Sequence, residues 1–305
     1  MKGIDESLVR AKAKNLGFDL VGFCLPEFET NEFENRLIAR NAENAGKTPF
    51  VRVSPQKRLD LKTVMPEIKT VIALGKTYAL YPKEKSVSKN EGRLAAFARE
   101  RDYHAVMTEK MKALIKLIKR EMNGEGSFKL FVDNARIVDR IIAWKCGLGF
   151  FGKNNMLIHP DWGSAFNIGV ILTDVPISFY EVKPLSPSCA SCTRCLEACP
   201  NGALGEGFSL DYGKCISHLT QKKRVNPEES CYFKEYLYGC DACQIACPYN
   251  LAHPRVSDSE SVYSLDFMQN LTEETFRQIF GKSAMAWRGA EILKRNAKIL
   301  KKSTK

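Results

Sequence analysis

The stretch Cys189-Ala-Ser-Cys192-Thr-Arg-Cys195-Leu-Glu-Ala-Cys199-Pro200 constrains this chain more than any other. Four cysteines spaced x2, x2 and x3 and closed by proline form a run that ligates [4Fe-4S] clusters. Three thiolates of such a run hold one cluster, and the fourth, carried off by a short helical turn, reaches a second, so a matching set is required elsewhere. Cys240-Asp-Ala-Cys243-Gln-Ile-Ala-Cys247-Pro248 repeats the x2 and x3 spacings and the proline. Cys215 supplies the ligand that this shorter run lacks. The crossing rule then assigns Cys189, Cys192, Cys195 and Cys247 to one cluster, and Cys199, Cys215, Cys240 and Cys243 to the other. A zinc ribbon would need two separated Cys-x2-Cys pairs and no crossing cysteine before proline. Cys24, Cys146 and Cys231 stand outside the pattern and read as packing residues.

The chain has 305 residues, 44% of them hydrophobic, enough for about two domains with a packed core. Its first residues, Met1-Lys-Gly-Ile-Asp-Glu-Ser, carry no apolar signal region, and no segment approaches ~18 uninterrupted apolar residues. The expectation is a cytoplasmic monomer without membrane contact, in a reducing compartment that keeps eleven cysteines unpaired. Lys and Arg total 46 against 35 acids, a net charge of +11. That balance suits a polyanion such as nucleic acid, and it equally suits a well-solvated surface.

Helix formers over residues 5–16 precede a stop at Gly17 and an apolar strand ending at Cys24. Residues 31–45 read as helix, Gln56 to Leu59 as the end of a loop, and Thr70-Val-Ile-Ala-Leu-Gly75 as a buried strand. Val106, Met107, Met111, Leu114, Ile115 and Ile118 recur at helical spacing between Tyr103 and Met122. A strand from Phe128 delivers Asp133 at its end, where a carboxylate could do chemistry or cap the helix expected over 137–146. Strands at 156–159 and 165–173 read as a hairpin about Asp161-Trp-Gly163-Ser164. Neither phosphate-cradling glycine motif is present. Helices are expected over 265–280 and 290–300, and the closing Lys294, Arg295, Lys298, Lys301, Lys302 and Lys305 form a basic tail. The chain divides into residues 1–183, a cluster segment 184–256, and a helical segment 257–305.

Further motifs occur in order along the whole chain: Lys57-Arg58, Asp102-Tyr103-His104, Val132-Asp133 with Asp139-Arg140, Gly147-Leu-Gly149-Phe-Phe-Gly152-Lys153-Asn154, Cys215-Ile-Ser217-His-Leu-Thr220, Tyr238-Gly239-Cys240-Asp241, and Trp287-Arg288-Gly289 with Arg295-Asn296. With the cluster runs, they resemble the epoxyqueuosine reductase family in its short form. The resemblance implies an α+β fold: a nitroreductase-like cobalamin-binding domain, a ferredoxin-like two-[4Fe-4S] domain and a short helical C-terminus. It implies reduction of epoxyqueuosine at the tRNA wobble position, with electrons from an external low-potential donor passing through both clusters to cobalamin. Asp133 would donate a proton to the opened epoxide if burial raises its pKa above ~4. Arg58, Asp133, Lys153, Asn154, Ser164 and Ser217 would contact the cofactor. Lys222, Lys223, Arg224, Trp287, Arg288 and Arg295 would contact tRNA. A ferredoxin-type electron carrier without its own substrate and a cytoplasmic cobalamin-dependent reductive dehalogenase are the alternatives. The chain has Val132-Asp133-Asn134-Ala135 where the family usually has Val-Asp-Thr-Gly, and Phe97-Ala98-Arg99-Glu100 where it favours Tyr-Ala-x-Gly.

Overall fold

The computed structural model describes residues 3–27, 55–83, 86–133, 136–181, 183–186 and 188–303. The helix expected over 31–45 lies outside the described residues. At the centre is a four-stranded antiparallel sheet in the order Leu20–Cys24, Thr70–Thr77, Phe166–Thr173, Phe128–Val132. The apolar run at Thr70 becomes an inner strand because both of its faces are covered. Val71 and Ala73 pack on one side with Ile141, Ile142 and Trp144, whereas Ile72 and Leu74 pack on the other with Met107, Met111 and Leu114.

The long helix Tyr103–Glu121 forms where the periodicity predicts it and buries Met107, Met111, Leu114 and Ile118 against the sheet. Each such side chain contributes roughly 1.5–3 kcal/mol by leaving water. Asp102 caps its start, accepting from the His104 amide at 3.0 Å. On the opposite face, the helix Asp139–Lys145 is shorter than expected. It lies close to the first strand: a Cβ on Gly22 would fall 1.9 Å from the carbonyl oxygen of Cys146, so only glycine fits there.

Several local expectations are corrected. Residues 55–59, read as loop, form the short helix Pro55–Leu59, with proline at a helix start where its missing N–H costs nothing. The predicted hairpin about Asp161 reduces to one bridge between His159 and Gly163. Leu157–Ile158 pairs instead with Phe150–Phe151, and Phe166–Thr173 joins the main sheet. The helix over 265–280 is two, Leu265–Gln269 and Glu273–Phe280, because the Thr272 hydroxyl accepts from the Thr275 amide and starts a new one. The basic residues from Lys294 to Lys302 belong to the helix Ala290–Ser303, which buries Ile292, Leu293, Ala297 and Leu300, and Lys305 lies outside the described residues.

The three sequence segments share a sheet. Glu91–Leu94 lies between Tyr236–Tyr238 and Val262–Ser264, one strand from each segment. Asn296, fully buried in the last helix, donates to the backbone oxygens of Thr220 at 2.9 Å and Leu237 at 2.7 Å and ties that helix to this sheet. Among the described residues, no helix is long and apolar enough to cross a membrane.

Candidate active site

Each cysteine run leads into a single helical turn, Arg194–Glu197 and Ala242–Ile245, and the two turns pack together. This juxtaposition brings the thiols of both runs near one another. Burial, with Cys189, Cys247 and Cys192 adding to it, pushes the Cys195 thiol up to about 11. Burial pushes Cys240 up to about 12, with the charges of Asp241, Cys215 and Cys199 adding to it, and the half-buried Cys243 is raised by desolvation and by Cys240, Cys215, Cys195 and Cys199 together. Four desolvated thiols side by side cannot ionise together unaided, and iron supplies the positive charge that makes them thiolates.

The second group opens onto a cavity of about 1440 Å³ whose wall includes Cys199, Cys215, Cys240 and Cys243. Ordinary small-molecule sites measure ~300–1,000 Å³, so the space suits a ligand of corrinoid size. Its rim carries Arg58, whose Nη2 donates to the Ile137 oxygen at 2.5 Å while its buried Nε has no protein partner. An orphaned buried donor beside a cavity of this size fits an amide-fringed cofactor.

Asp133 lines the same cavity, and its side chain is 66% exposed. Its φ of +42° turns the chain sharply at the end of the strand Phe128–Val132, a conformation that aspartate tolerates better than most residues. The helix that follows is capped by Val138, so Asp133 is not its cap. The Tyr103 hydroxyl donates to Asp133 Oδ2 at 2.6 Å, and His104 Nε2 lies 3.7 Å from the same oxygen. His104, chiefly, holds the Asp133 carboxyl below the usual range, with burial opposing it and Tyr103 adding to the depression. The expectation that burial lifts this pKa is therefore overturned. The raised carboxyl is Asp139, which burial and the Asp133 charge push up from inside the same cavity. Asp241, pushed to about 6 by burial, accepts from the Ala96 amide at 2.7 Å.

Of the remaining expected cofactor contacts, Arg58, Asn154 and Ser217 line the cavity. Lys153 and Ser164 do not. Lys153 Nζ donates to the backbone oxygens of Ala190 at 2.8 Å and Cys192 at 3.0 Å, which fixes the first cysteine loop. Ser164 is buried in a network with Gln244 and Asn250. Of the expected tRNA contacts, Trp287 lines the cavity mouth and is 62% exposed, with the Arg288 guanidinium 3.7 Å from its ring centre. Lys223 and Arg224 are exposed, whereas Lys222 pairs with Glu229 at 2.5 Å. Arg295 is turned inward, donating to Lys222 O at 2.6 Å, and its burial lowers its pKa to about 10. Sequence reading gave no role to Tyr103, His104 or Asp139. The signal for the first two was present in Asp102-Tyr103-His104, where an N-cap places the following two side chains on the first helical turn. The departure at Glu100 is structurally absorbed, since the hydroxyls of Ser257 and Ser259 donate to its carboxylate.

Thiols sorted for two clusters, one set bordering a corrinoid-sized cavity with an acid on its wall, define an iron–sulfur oxidoreductase with its own substrate site. The profile described as "Epoxyqueuosine reductase QueG, DUF1730" matches residues 58–134, and "4Fe-4S double cluster binding domain" matches 188–250. An epoxyqueuosine reductase of Leadbetterella byssophila is 33% identical over 300 residues, covering 96% of this chain and 97% of its own length. The structure of epoxyqueuosine reductase from Streptococcus thermophilus superposes with a TM-score of 0.84 at 30% identity, over 97% of this chain and 80% of that one. A crystal structure of epoxyqueuosine reductase with an epoxyqueuosine-modified tRNA-Tyr stem loop gives a TM-score of 0.87 at 28% identity, over 98% and 81%. The chain belongs to the epoxyqueuosine reductase family. Its fold is the α+β fold of that family, and the double cluster domain gives it two [4Fe-4S] clusters.

Proposed function

We propose that this protein reduces epoxyqueuosine to queuosine in tRNA, with the cavity between Asp133 and the second cysteine group as the place of reaction. The observation that carries this reading is the shared wall: Cys199, Cys215, Cys240 and Cys243 border the same space as Asp133, Tyr103 and His104. An electron carrier without its own substrate has no use for so large a cavity beside its clusters. When bound, the clusters supply single electrons at low potential, and cobalamin supplies the reducing centre that meets the epoxide.

The chain's own residues provide the rest. Arg58, Asn154 and Ser217 would hold the cofactor's edge at the cavity wall. Deoxygenating an epoxide to an alkene consumes two electrons and two protons and releases water, so the oxygen must be protonated as its C–O bonds break. Asp133 is the acid placed for this. Tyr103 fixes the carboxylate by its 2.6 Å hydrogen bond, so one oxygen is committed and the other faces the cavity. Trp287 offers a stacking surface for an unpaired base at the mouth, and Lys223 and Arg224 offer charge to the phosphate backbone. The expected division into a catalytic segment 1–183, a cluster segment 184–256 and a C-terminal segment 257–305 describes these roles, even though the segments share a sheet. The protein is further proposed to act as a cytoplasmic monomer fed by an external low-potential donor.

Anaerobic incubation of the loaded protein with epoxyqueuosine-containing tRNA, a chemical reductant and cobalamin tests this directly. Mass spectrometry of the digested tRNA should show loss of one oxygen from the modified nucleoside. Unchanged tRNA after cluster and cobalamin loading would overturn the reading.

A further inference from the structure

Asp133 is held as a carboxylate by its neighbours, and a carboxylate has no proton to give. The reaction proposed above needs two protons per turnover, so the acid must be charged from somewhere. The groups facing it are few. Arg58 and Arg140 are permanent cations and donate to the Ile137 and Asn155 oxygens. The Tyr103 hydroxyl is already committed to Asp133, and burial beside that carboxylate raises its pKa far above neutrality. Asp139 is half-buried, its Oδ1 accepting from the Arg140 amide at 2.8 Å. Of these groups, His104 is the one whose ordinary pKa, ~6.5, lies nearest neutral pH.

The geometry around His104 is that of a group held between two acids. Asp102 Oδ1 lies 2.7 Å from Nδ1 and also accepts the His104 backbone amide, so it orients the ring as well as capping the helix. The Tyr103 ring stacks on the imidazole at 4.0 Å, which fixes its plane. Nε2 is thereby aimed at Asp133 Oδ2, 3.7 Å away. The imidazole is 39% exposed, so it has contact with solvent.

We infer that Asp102, His104 and Asp133 form a proton relay, in which His104 passes solvent-derived protons to Asp133 and Asp102 holds the imidazole in position. The inference rests on the functional reading above. In each cycle, the protonated Asp133 gives its proton to the substrate oxygen and becomes a carboxylate. His104 then transfers the Nε2 proton to that carboxylate, keeps Nδ1–H on Asp102, and regains a proton at Nε2 from water. Two such cycles, with two electrons delivered through the clusters, break both C–O bonds, form the alkene and release the oxygen as water. The 3.7 Å gap closes to hydrogen-bond reach of ~2.6–3.2 Å when the cavity is filled, as catalytic contacts do on substrate binding. His104 acts on the substrate through Asp133, so it is a positioning and relay residue. Both flanking carboxylates raise its pKa, which keeps it charged to higher pH than a free imidazole.

Histidine-selective 13C NMR on the cluster-loaded protein tests the relay without substrate, with His104 identified by the signal lost in His104→Gln. Its pKa should lie above the usual ~6.5 and fall by about one unit in Asp133→Asn. In turnover, the unaltered enzyme should lose rate as pH rises through the His104 pKa. His104→Gln should retain its iron, run at least ~10-fold slower and lose that pH limb. Added imidazole should partly restore His104→Ala. A His104 that titrates at the ordinary value and ignores Asp133→Asn overturns the relay while leaving an active enzyme intact. A pH limb that survives His104→Gln and disappears in Asp139→Asn overturns it in favour of Asp139. An unaltered enzyme that turns nothing over brings down the functional reading, and the relay with it.

Discussion

Ser164 and Asn250 are joined twice: the Ser164 amide donates to Asn250 Oδ1 at 2.7 Å, and Asn250 Nδ2 donates back to Ser164 Oγ at 3.0 Å. Asn250 Nδ2 also reaches the Gln244 oxygen at 2.7 Å, and Ser164 Oγ donates to Gln244 Oε1 at 3.0 Å. All three residues are buried. This network fastens the end of the second cysteine run to the turn that enters the main sheet, so the cluster ligands and the cavity wall form one frame. Gly163, at φ +69°, is required there because a Cβ would fall 2.0 Å from Asn250 Oδ1.

Asn250→Ala should destabilise the protein by about 1–3 kcal/mol, because it leaves the buried Ser164 amide without a partner. Thermal unfolding measures the loss. The first cluster, whose ligand Cys247 lies three residues away, should also yield iron to a chelator faster than in the unaltered protein.

The crossing of the two runs makes a specific prediction about iron. Cys247→Ala should remove a ligand from the group containing Cys189, although Cys247 lies in the second run. Cys199→Ala should do the reverse. Each variant should keep about half the iron of the unaltered protein under mild handling. Resonance Raman or EPR after partial reduction would identify which cluster remains, and loss of the same cluster in both variants would contradict the assignment.

Lys223 and Arg224 are exposed beside the second cluster's ligand helix Ile216–Gln221, while Lys222 and Arg295 are engaged with Glu229 and with backbone. Replacing Lys223 and Arg224 with alanine should therefore weaken tRNA binding and reduce the slope of log affinity against log salt by about 1–2. Arg295→Ala should act mainly through stability, since it frees three backbone oxygens from its guanidinium. Filter binding across a salt series, alongside thermal unfolding, separates the two effects. An unchanged slope in the Lys223/Arg224 double variant would return those charges to a solvating role.

Much of this architecture was legible in the sequence where one local rule governs. The two cysteine runs, seven thiols with Cys215 as the eighth, announced a double-cluster domain, because that spacing with its closing proline has little other use. The periodicity from Val106 to Ile118 placed the long helix, because one face must be apolar for the sheet to be covered. The hairpin about Asp161 failed because strand pairing is chosen across the fold: Phe166–Thr173 found the full-length partner Thr70–Thr77, which local alternation cannot report. Ser164 and Lys153 matched family motifs yet do not line the cavity, since a motif records that a residue is kept and not whether it faces ligand or supports the frame. The state of Asp133 was misjudged for a related reason. A place at a pocket wall was foreseeable from a strand end, but the imidazole and the hydroxyl that hold its pKa down come from another element, the first turn of the helix Tyr103–Glu121.

Turnover of epoxyqueuosine-containing tRNA by Asp133→Asn, read by mass spectrometry of the digested tRNA, tests the central claim most directly. Asparagine keeps the size, can still accept from Tyr103, and removes the ionisable group, so both clusters and cobalamin binding should be retained. The account predicts a rate lower by ~10²-fold or more with full iron content. A variant that converts epoxyqueuosine to queuosine at the unaltered rate would contradict it.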